Sequence, residues 1–94
     1  MAGLLSKGVN SMSLEKLKIA KKIVGVKQVT KAVEKELVQV VYIAQDAEQR
    51  FVETLRMLCE RKNVAIEVML TMTELGSVCG IEVGAAAVAV LKEA

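Results

Sequence analysis

Histidine, proline and tryptophan are absent from this chain of 94 residues, and phenylalanine and tyrosine occur once each. Without histidine, no Ser–His or Cys–His nucleophile pair can form, and a zinc site loses its usual nitrogen ligand. With so few aromatic side chains, recognition of nucleic acid by stacking bases on an aromatic platform, as in RRM domains, is disfavoured. The lack of proline fits regular helices and strands joined by short connections.

The two cysteines, Cys59 and Cys79, do not form a CxxC pair, and we expect no metal site. Both lie among apolar residues, which favours reduced thiols packed in a core and a reducing, cytoplasmic setting. Their spacing is also compatible with a disulfide. No phosphate-binding loop of the GxxxxGK type and no dinucleotide fingerprint occurs. We therefore expect no catalytic residues and no cofactor.

The distribution of charge is uneven along the chain. The net charge is +2, yet residues 1–36 contain eight lysines and three glutamates, whereas residues 37–94 contain five basic and eight acidic residues. A basic N-terminal third indicates a polyanionic partner. The alternative is a lysine face that is simply solvated. No apolar run approaches the ~20 residues that span a bilayer, so no membrane partner is expected.

The length fits one small domain. The start MAGLLSKGVNS lacks the long apolar segment of a signal peptide, and residues 1–12 are predicted to be a disordered tail. Ser13 can cap the first helix, so residues 13–94 are predicted to form the domain. Nothing in the pattern indicates self-association, and we expect a monomer.

Helix-like and strand-like segments alternate after the tail. Helices are predicted over 14–22, 26–36, 46–62 and 71–80. Strands are predicted over 23–24, 38–44, 65–70 and 85–91. Strands that alternate with helices form a largely parallel sheet covered on both faces. The expected fold is therefore α/β, a three-layer α/β/α sandwich with a small, mixed but mostly parallel sheet of four strands.

Two capping boxes mark helix starts, Asp46 with Gln49 and Thr71 with Glu74. Asn63 is a suitable left-handed residue to end the third helix. The buried stripe of that helix is expected to consist of apolar side chains at helical spacing, namely Phe51, Val52, Leu55, Leu58 and Cys59.

The first candidate binding segment is GVKQVTK, residues 25–31. Gly25 precedes a helix whose free N–H groups attract phosphate. Lys27, Gln28 and Lys31 fall within one exposed arc at about 100° per residue. The lysines add charge, and the Gln28 carboxamide can donate to and accept from a base edge. An ordinary amphipathic helix is the alternative interpretation.

The second candidate segment is GIEVG, residues 80–84, the loop before the last predicted strand. Open α/β sheets bind ligands in such loops. Ile81 and Val83 would be partly exposed there unless a partner covers them. Glu82 belongs outside a core, because an unpaired buried carboxylate is expensive. The alternative is a tight turn whose glutamate faces water or caps backbone N–H groups.

Three segments in this order carry a family resemblance: GVKQVTKAV (25–33), VVYIAQDA (40–47) and ELGSVCGIEVGAAAVAV (74–90). With them the chain resembles the kink-turn RNA-binding ribosomal protein family of the L7Ae and L30e type, and looks most like its short bacterial members. The resemblance implies the sandwich fold reached above and a non-enzymatic role. It also implies a partner RNA that bends sharply beside tandem sheared G·A pairs, on the ribosome or in a structured messenger RNA.

Carried onto this chain, the family's first RNA contact falls at the start of the second predicted helix. Gly25 would let the backbone approach the RNA, and Lys27, Gln28 and Lys31 would contact guanine edges and phosphates. Archaeal and eukaryotic relatives typically have Gly-x-Asn-Glu-x-x-Lys, and here Lys27 and Gln28 replace the Asn and Glu. A glutamine can still accept a hydrogen bond from guanine, but without the assistance of a charge.

The family's second RNA contact falls in the loop before the last strand. Ile81, Glu82 and Val83 would line the three-nucleotide bulge, and Gly84 would permit the turn of the loop. A protein-interaction module of the same fold without RNA binding is the alternative function. An enzyme or small-ligand binder would have only Cys79 and Glu82 as a polar centre.

Overall fold

The computed structural model describes residues 14–92, which form four helices and four strands. The helices are α1 (Leu14–Ile19), α2 (Val26–Glu34), α3 (Gln49–Arg61) and α4 (Met72–Val78). The strands are β1 (Lys22–Val24), β2 (Val38–Ile43), β3 (Ala65–Glu67) and β4 (Ala87–Leu91). The tail predicted over residues 1–12 lies outside the described residues, and the domain bounds 13–94 stay a prediction.

The strands form one sheet in the order β1-β4-β2-β3. β1, β2 and β3 run in the same direction, and β4 is inserted between β1 and β2 in the opposite direction. The mixed, four-stranded sheet is confirmed. The prediction that it is mostly parallel is wrong, since two of the three strand pairs are antiparallel. The segment that connects β3 to β4 consists of α4 and the loop after it, and it does not cross back to the other end of the sheet. β4 therefore starts at the end where β3 stops.

Helices cover both faces of the sheet, as the predicted three-layer sandwich requires. α2 and α3 pack on one face in a core that includes Val33 and Leu55. α1 and α4 pack on the other face in a second core that includes Leu17 and Leu75. Each helix therefore buries one apolar stripe against the sheet and leaves its polar side exposed.

Strand β4 supplies side chains to both cores. Ala87 and Ala89 belong to the core under α2 and α3, whereas Val88 and Val90 belong to the core under α1 and α4. Side chains alternate between the faces of a strand, and both faces of this strand are covered. This explains why the segment is continuously apolar in sequence instead of alternating with polar residues.

Several elements are shorter than predicted. α1 stops at Ile19 because Lys22 joins β1, β3 has only three residues, and β4 begins at Ala87. α2 stops at Glu34 because Glu36 adopts a left-handed φ of 60°. The Leu37 N–H then donates to the Ala32 carbonyl at 3.1 Å, which is the closing hydrogen bond of a Schellman motif.

Asp46 does not cap α3, so the first predicted capping box is wrong. The N-cap of α3 is Glu48, and it makes no side-chain cap hydrogen bond. The Asp46 carboxylate accepts a hydrogen bond from the Met72 N–H at 2.8 Å, at the first turn of α4. A tertiary contact between the residues after β2 and those after β3 therefore replaces the local cap. The predicted end of α3 is confirmed, since Asn63 has a φ of 60°.

Phe51 is the exception in the predicted buried stripe of α3. Val52, Leu55, Leu58 and Cys59 are buried, but 57% of Phe51 is exposed. It lies in the first turn of the helix, where less of the protein covers it. The Arg50 guanidinium lies 4.9 Å from the centre of its ring, which gives the exposed aromatic a cation–π contact.

Both cysteines are free thiols, and they differ in burial. Cys59 is buried in the core under α2 and α3, as predicted, and burial raises its pKa to about 11. Cys79 is only partly buried at the end of α4, where it packs against the second core.

The predicted capping box at the start of α4 is confirmed. The Thr71 hydroxyl accepts from the Glu74 N–H at 3.2 Å, and the Glu74 carboxylate accepts from the Thr71 N–H at 2.9 Å. Two N–H groups at the helix start are thereby satisfied.

Replacing Thr71 with alanine removes this box. We expect Thr71→Ala to lower the free energy of unfolding by about 0.5–2 kcal/mol, as for other N-cap residues. Urea denaturation measures the change. Thr73→Ala is the matched control, because Thr73 is exposed in the same helix and its change to alanine favours helix formation slightly. Equal stability of the two variants would contradict the role given to Thr71.

Candidate nucleic-acid interface

The two candidate segments meet at one end of the sheet. β1 ends at Val24, which pairs with Val88, the second residue of β4. The Gly25 N–H donates to the Ala87 carbonyl at 2.9 Å, so the start of α2 lies directly beside the chain that leaves the loop. We call this end of the sheet the loop end. β2 and β3 also finish there. The segment after β3 reaches the same end at Leu70, whose carbonyl accepts from the Gln45 N–H at 2.8 Å.

The start of α2 leaves backbone donors open. Gly25 is the N-cap, with a φ of 106° and no side chain to cap the helix. The Gly25 carbonyl accepts the N–H of Val29 at 2.8 Å. The N–H groups of Lys27 and Gln28 have no acceptor within the part of the chain that the structure describes. Such N–H groups point outward along the helix axis and favour an anion.

The exposed face of α2 is basic. Lys27, Gln28 and Lys31 are exposed, while Val29 and Val33 on the opposite side are buried. Neither lysine forms an ion pair with any residue in the range 14–92. The predicted arc of charge and amide is therefore present on the surface, and its cations are not neutralised by neighbouring carboxylates.

The loop between α4 and β4 is attached to α4 at two points. The Ile81 N–H donates to the Gly76 carbonyl at 3.1 Å, and the Ala85 N–H donates to the Met72 carbonyl at 3.0 Å. The absence of a side chain at Gly76 allows the loop to lie this close to α4, because a Cβ atom there would collide with the Val83 carbonyl oxygen. These contacts hold the loop against the side of the helix.

The role expected for Gly84 needs correction. The turn after α4 is made at Gly80, which has a φ of 76°, in the left-handed region that glycine tolerates best. Gly84 instead lies close to Met72, and a Cβ atom on Gly84 would lie 3.1 Å from the Met72 Cβ. Gly84 therefore allows the loop to pack closely on α4.

Three consecutive side chains of the loop face solvent. Val83 is 71% exposed and Ile81 is 36% exposed, although both are apolar. Glu82, between them, is exposed and makes no hydrogen bond or ion pair with the residues at 14–92. The loop thus offers two apolar surfaces and one free carboxylate to a partner, next to the open start of α2.

Other exposed side chains at the loop end could not be assigned to this surface from the sequence. The Gln45 side chain donates to the Met69 carbonyl at 3.2 Å, which joins the residues after β2 to those after β3. Met69 and Phe51 are exposed and apolar in this region. Their positions follow from tertiary contacts, and residue type or spacing alone does not indicate them.

The acidic side chains and thiols at 14–92 are dispersed. No group of three or more Cys, Asp or Glu side chains at 14–92 could hold a metal ion. Burial raises the pKa of the Cys79 thiol, and the charge of Lys22 lowers it by a smaller amount, so the thiol is protonated at neutral pH. None of the helices described is long and apolar enough to cross a bilayer.

Comparison with known proteins identifies a family. The sequence profile of the ribosomal protein L7Ae/L30e/S12e/Gadd45 family matches residues 9–94. The RNA-binding protein TTE2299 of Caldanaerobacter subterraneus subsp. tengcongensis is 49% identical over 69 residues, which cover 73% of this chain and 84% of that protein. The RNA-binding protein BH0128 of Halalkalibacterium halodurans is 45% identical over 82 residues, which cover 86% of this chain and 100% of that protein.

Solved structures share the fold at lower sequence identity. The Giardia lamblia 15.5kD RNA binding protein superposes with a TM-score of 0.77 at 23% identity, over 96% of this chain and 76% of that one. A protein of unknown function from Bacillus halodurans superposes with a TM-score of 0.78 at 24% identity, over 84% of this chain and 83% of that one. At this identity the likeness shows the three-layer fold alone.

The close contact at Gly76 can be tested by adding one methyl group. We expect Gly76→Ala to lower the free energy of unfolding by about 1–3 kcal/mol, because the Cβ atom must displace the loop backbone. Urea denaturation measures the loss. The control is Ser77→Ala, one residue further along an exposed part of the same helix, which should change stability by less than about 0.5 kcal/mol. A stabilised Gly76→Ala protein would show that the loop is not held against α4.

Proposed function

Because this chain belongs to the ribosomal protein L7Ae/L30e/S12e/Gadd45 family, we propose that it is a non-enzymatic protein that binds structured RNA containing a kink-turn at the loop end. Relatives of similar length are named RNA-binding proteins, which supports RNA as the partner. We further propose that it acts in the cytoplasm as a monomer, on the ribosome or on a structured messenger RNA.

One observation carries the proposal. The hydrogen bond from Gly25 to Ala87 places the open, basic start of α2 beside the exposed loop at 81–84. The start of α2 offers phosphate-binding groups and one amide that can contact a base edge, and the loop adds the groups that α2 lacks. Together they form one surface with backbone N–H donors, cations, an amide, a carboxylate and two apolar side chains.

The start of α2 would supply the contacts to the bent RNA backbone and the G·A pairs. Bending an RNA helix brings phosphates together, and their repulsion opposes the bend. Lys27 and Lys31 reduce this repulsion, since cations that replace condensed counterions stabilise the complex. Gln28, between them on the exposed face, can donate to and accept from the edge of a guanine. Gly25 lacks a side chain that would keep the RNA at a distance.

The loop would contact the unpaired nucleotides of the bulge. Unstacked bases expose apolar faces and polar edges, and proteins read both. Ile81 and Val83 offer apolar surface, and Glu82 can accept hydrogen bonds from base N–H groups. Gly84 keeps this loop close to α4, so that the three side chains project from a supported backbone.

Two substitutions in α2 separate charge from base recognition. We expect Lys31→Ala to weaken binding to a standard kink-turn and to a matched RNA with disrupted G·A pairs by a similar factor, because a phosphate contact carries no sequence information. We expect Gln28→Ala to reduce the difference between these RNAs by about 1–3 kcal/mol, the value of a bidentate base contact. Calorimetric titration at several salt concentrations measures both effects.

The native protein titrated with the two RNAs provides the reference for this experiment. A steep loss of affinity with added salt is expected for both RNAs, and the kink-turn should bind more tightly at every salt concentration. Equal affinity for the two RNAs would rule out kink-turn recognition. Affinity that is independent of salt would rule out the phosphate contacts, and no measurable affinity for either RNA would favour a protein-interaction module.

Glu82 gives a test of the loop. A carboxylate repels RNA in general, so it can favour binding only where it accepts specific hydrogen bonds. Glu82→Gln should therefore weaken binding to the kink-turn while slightly strengthening binding to the duplex lacking G·A pairs. Glu53→Gln, which removes an exposed carboxylate from α3, should strengthen both slightly. Calorimetric titration with the same two RNAs measures both variants. If Glu82→Gln and Glu53→Gln change the two affinities in the same way, Glu82 does not contact the RNA.

A further inference from the structure

A second charged site lies at the opposite end of the sheet, which we call the far end. There α2 and α3 finish, β2 begins and β4 stops, and the gap between them is a cleft of about 250 Å³. Val33, Val38 and Val64 line its apolar part. Four charged residues complete the lining, namely Glu36, Arg61, Lys62 and Lys92.

The charged residues of the cleft leave two cations available. The Lys62 ammonium lies 3.1 Å from the Glu36 carboxylate and donates a hydrogen bond to it. Arg61 and Lys92 are exposed and form no ion pair within the described residues. Three cations around one carboxylate leave the lining with a net charge of +2.

Backbone geometry brings Glu36 and Lys92 to the same cleft. Glu36 occupies the left-handed position that ends α2, and the Lys92 N–H donates to the Leu37 carbonyl at 2.8 Å. The hydrogen bond and charge of Lys62 lower the pKa of Glu36; desolvation opposes this by a smaller amount, and the charge of Lys92 adds a still smaller lowering. Glu36 therefore stays ionised at neutral pH and keeps Lys62 at the cleft, and the charge of Lys92 lies close enough to act on the same carboxylate.

Positive charge is concentrated at the far end and negative charge at the loop end. The far end carries six cations, Lys21, Lys22, Lys35, Arg61, Lys62 and Lys92, against the carboxylates Glu34, Glu36 and Glu60. The loop end carries Asp46, Glu48, Glu67, Glu74 and Glu82 around the lysines of α2, and Arg50 there forms an ion pair with Glu48 at 3.0 Å. Cations near helix C-termini complement the helix dipole, but Lys92 follows a strand, so the dipole does not account for it.

We infer that the cleft between the ends of α2, α3 and β4 binds a backbone phosphate of RNA through Arg61 and Lys92, so that one molecule contacts RNA at both ends of its sheet. Arginine suits a phosphate because its guanidinium can donate two parallel hydrogen bonds, and a lysine adds a point charge. Lys62 neutralises Glu36, so the carboxylate does not repel the phosphate. The inference rests on the proposed function only in taking RNA as the ligand.

The exposed face of α2 joins the two ends. Lys27, Lys31 and Lys35 follow one another at intervals of four residues, and the rise of 1.5 Å per residue places the first and last about 12 Å apart along the axis. An RNA arm that leaves the loop end along this face would approach the cleft. The second contact is therefore expected only for RNA whose arm is long enough to reach it.

The double variant Arg61→Gln with Lys92→Gln tests the inference. Its affinity is measured for a minimal kink-turn, for kink-turns with one arm lengthened in steps, and for a long duplex without G·A pairs. We expect a loss of about tenfold or more on the long kink-turn and of less than about twofold on the minimal one. On the long RNA, the slope of log affinity against log salt should also fall by about one, for the one lost phosphate contact.

The matched control is Lys18→Gln with Arg56→Gln, which removes the same charge from residues that do not line the cleft. It should weaken binding to the short and long kink-turns by the same small factor. If the cleft variant behaves like this control, or loses equal affinity for both lengths, the cleft does not bind RNA. Arg61→Lys, tested with Lys92 retained, keeps the charge and should bind the long RNA more tightly than Arg61→Gln.

Two further measurements keep the result unambiguous. Thermal unfolding checks that each variant folds, and if the double variant does not, the single variants Arg61→Gln and Lys92→Gln replace it. If the native protein does not prefer the kink-turn, the proposed function is wrong. The cleft is then judged on the long duplex alone, where the cleft variant must still bind more weakly than the control variant.

Discussion

The interface depends on the hydrogen bond between Gly25 and Ala87, which ends the β1–β4 ladder. Because β4 runs against both of its neighbours, it begins where β1 ends, and Val24 pairs with Val88, the second residue of β4. The loop before β4 and the helix after β1 must then leave the sheet at the same place. If β4 ran parallel to β1, the loop would enter at the far end and the two segments would be separated by the length of the sheet.

The charges follow the directions of the helices. α2, α3 and α4 all begin at the loop end, where carboxylates such as Glu74 favour the positive ends of the helix dipoles. The attraction for RNA at this end therefore comes from a local set, the N–H groups at the start of α2 and the lysines on its face. The surplus of cations lies at the far end, and a polyanion approaching the protein experiences both.

The sequence predicts most of what depends on local interactions. The capping box at Thr71 and the left-handed residue Asn63 were both correctly predicted, because each depends on residues within one or two turns. The direction of β4, the partner of Asp46 and the exposure of Phe51 were not, because each depends on contacts between distant segments.

The same division applies to the two surfaces. The segments at 25–31 and 80–84 could be chosen from sequence, since glycines and exposed polar residues interrupt apolar patterns there. The cleft at the far end could not, since Glu36, Lys62 and Lys92 come together only when three elements finish side by side.

The attachment of the loop to α4 has a consequence for kinetics. Since Ile81 and Ala85 already donate to that helix, little conformational entropy remains to be lost on encounter, and docking should resemble the meeting of rigid bodies.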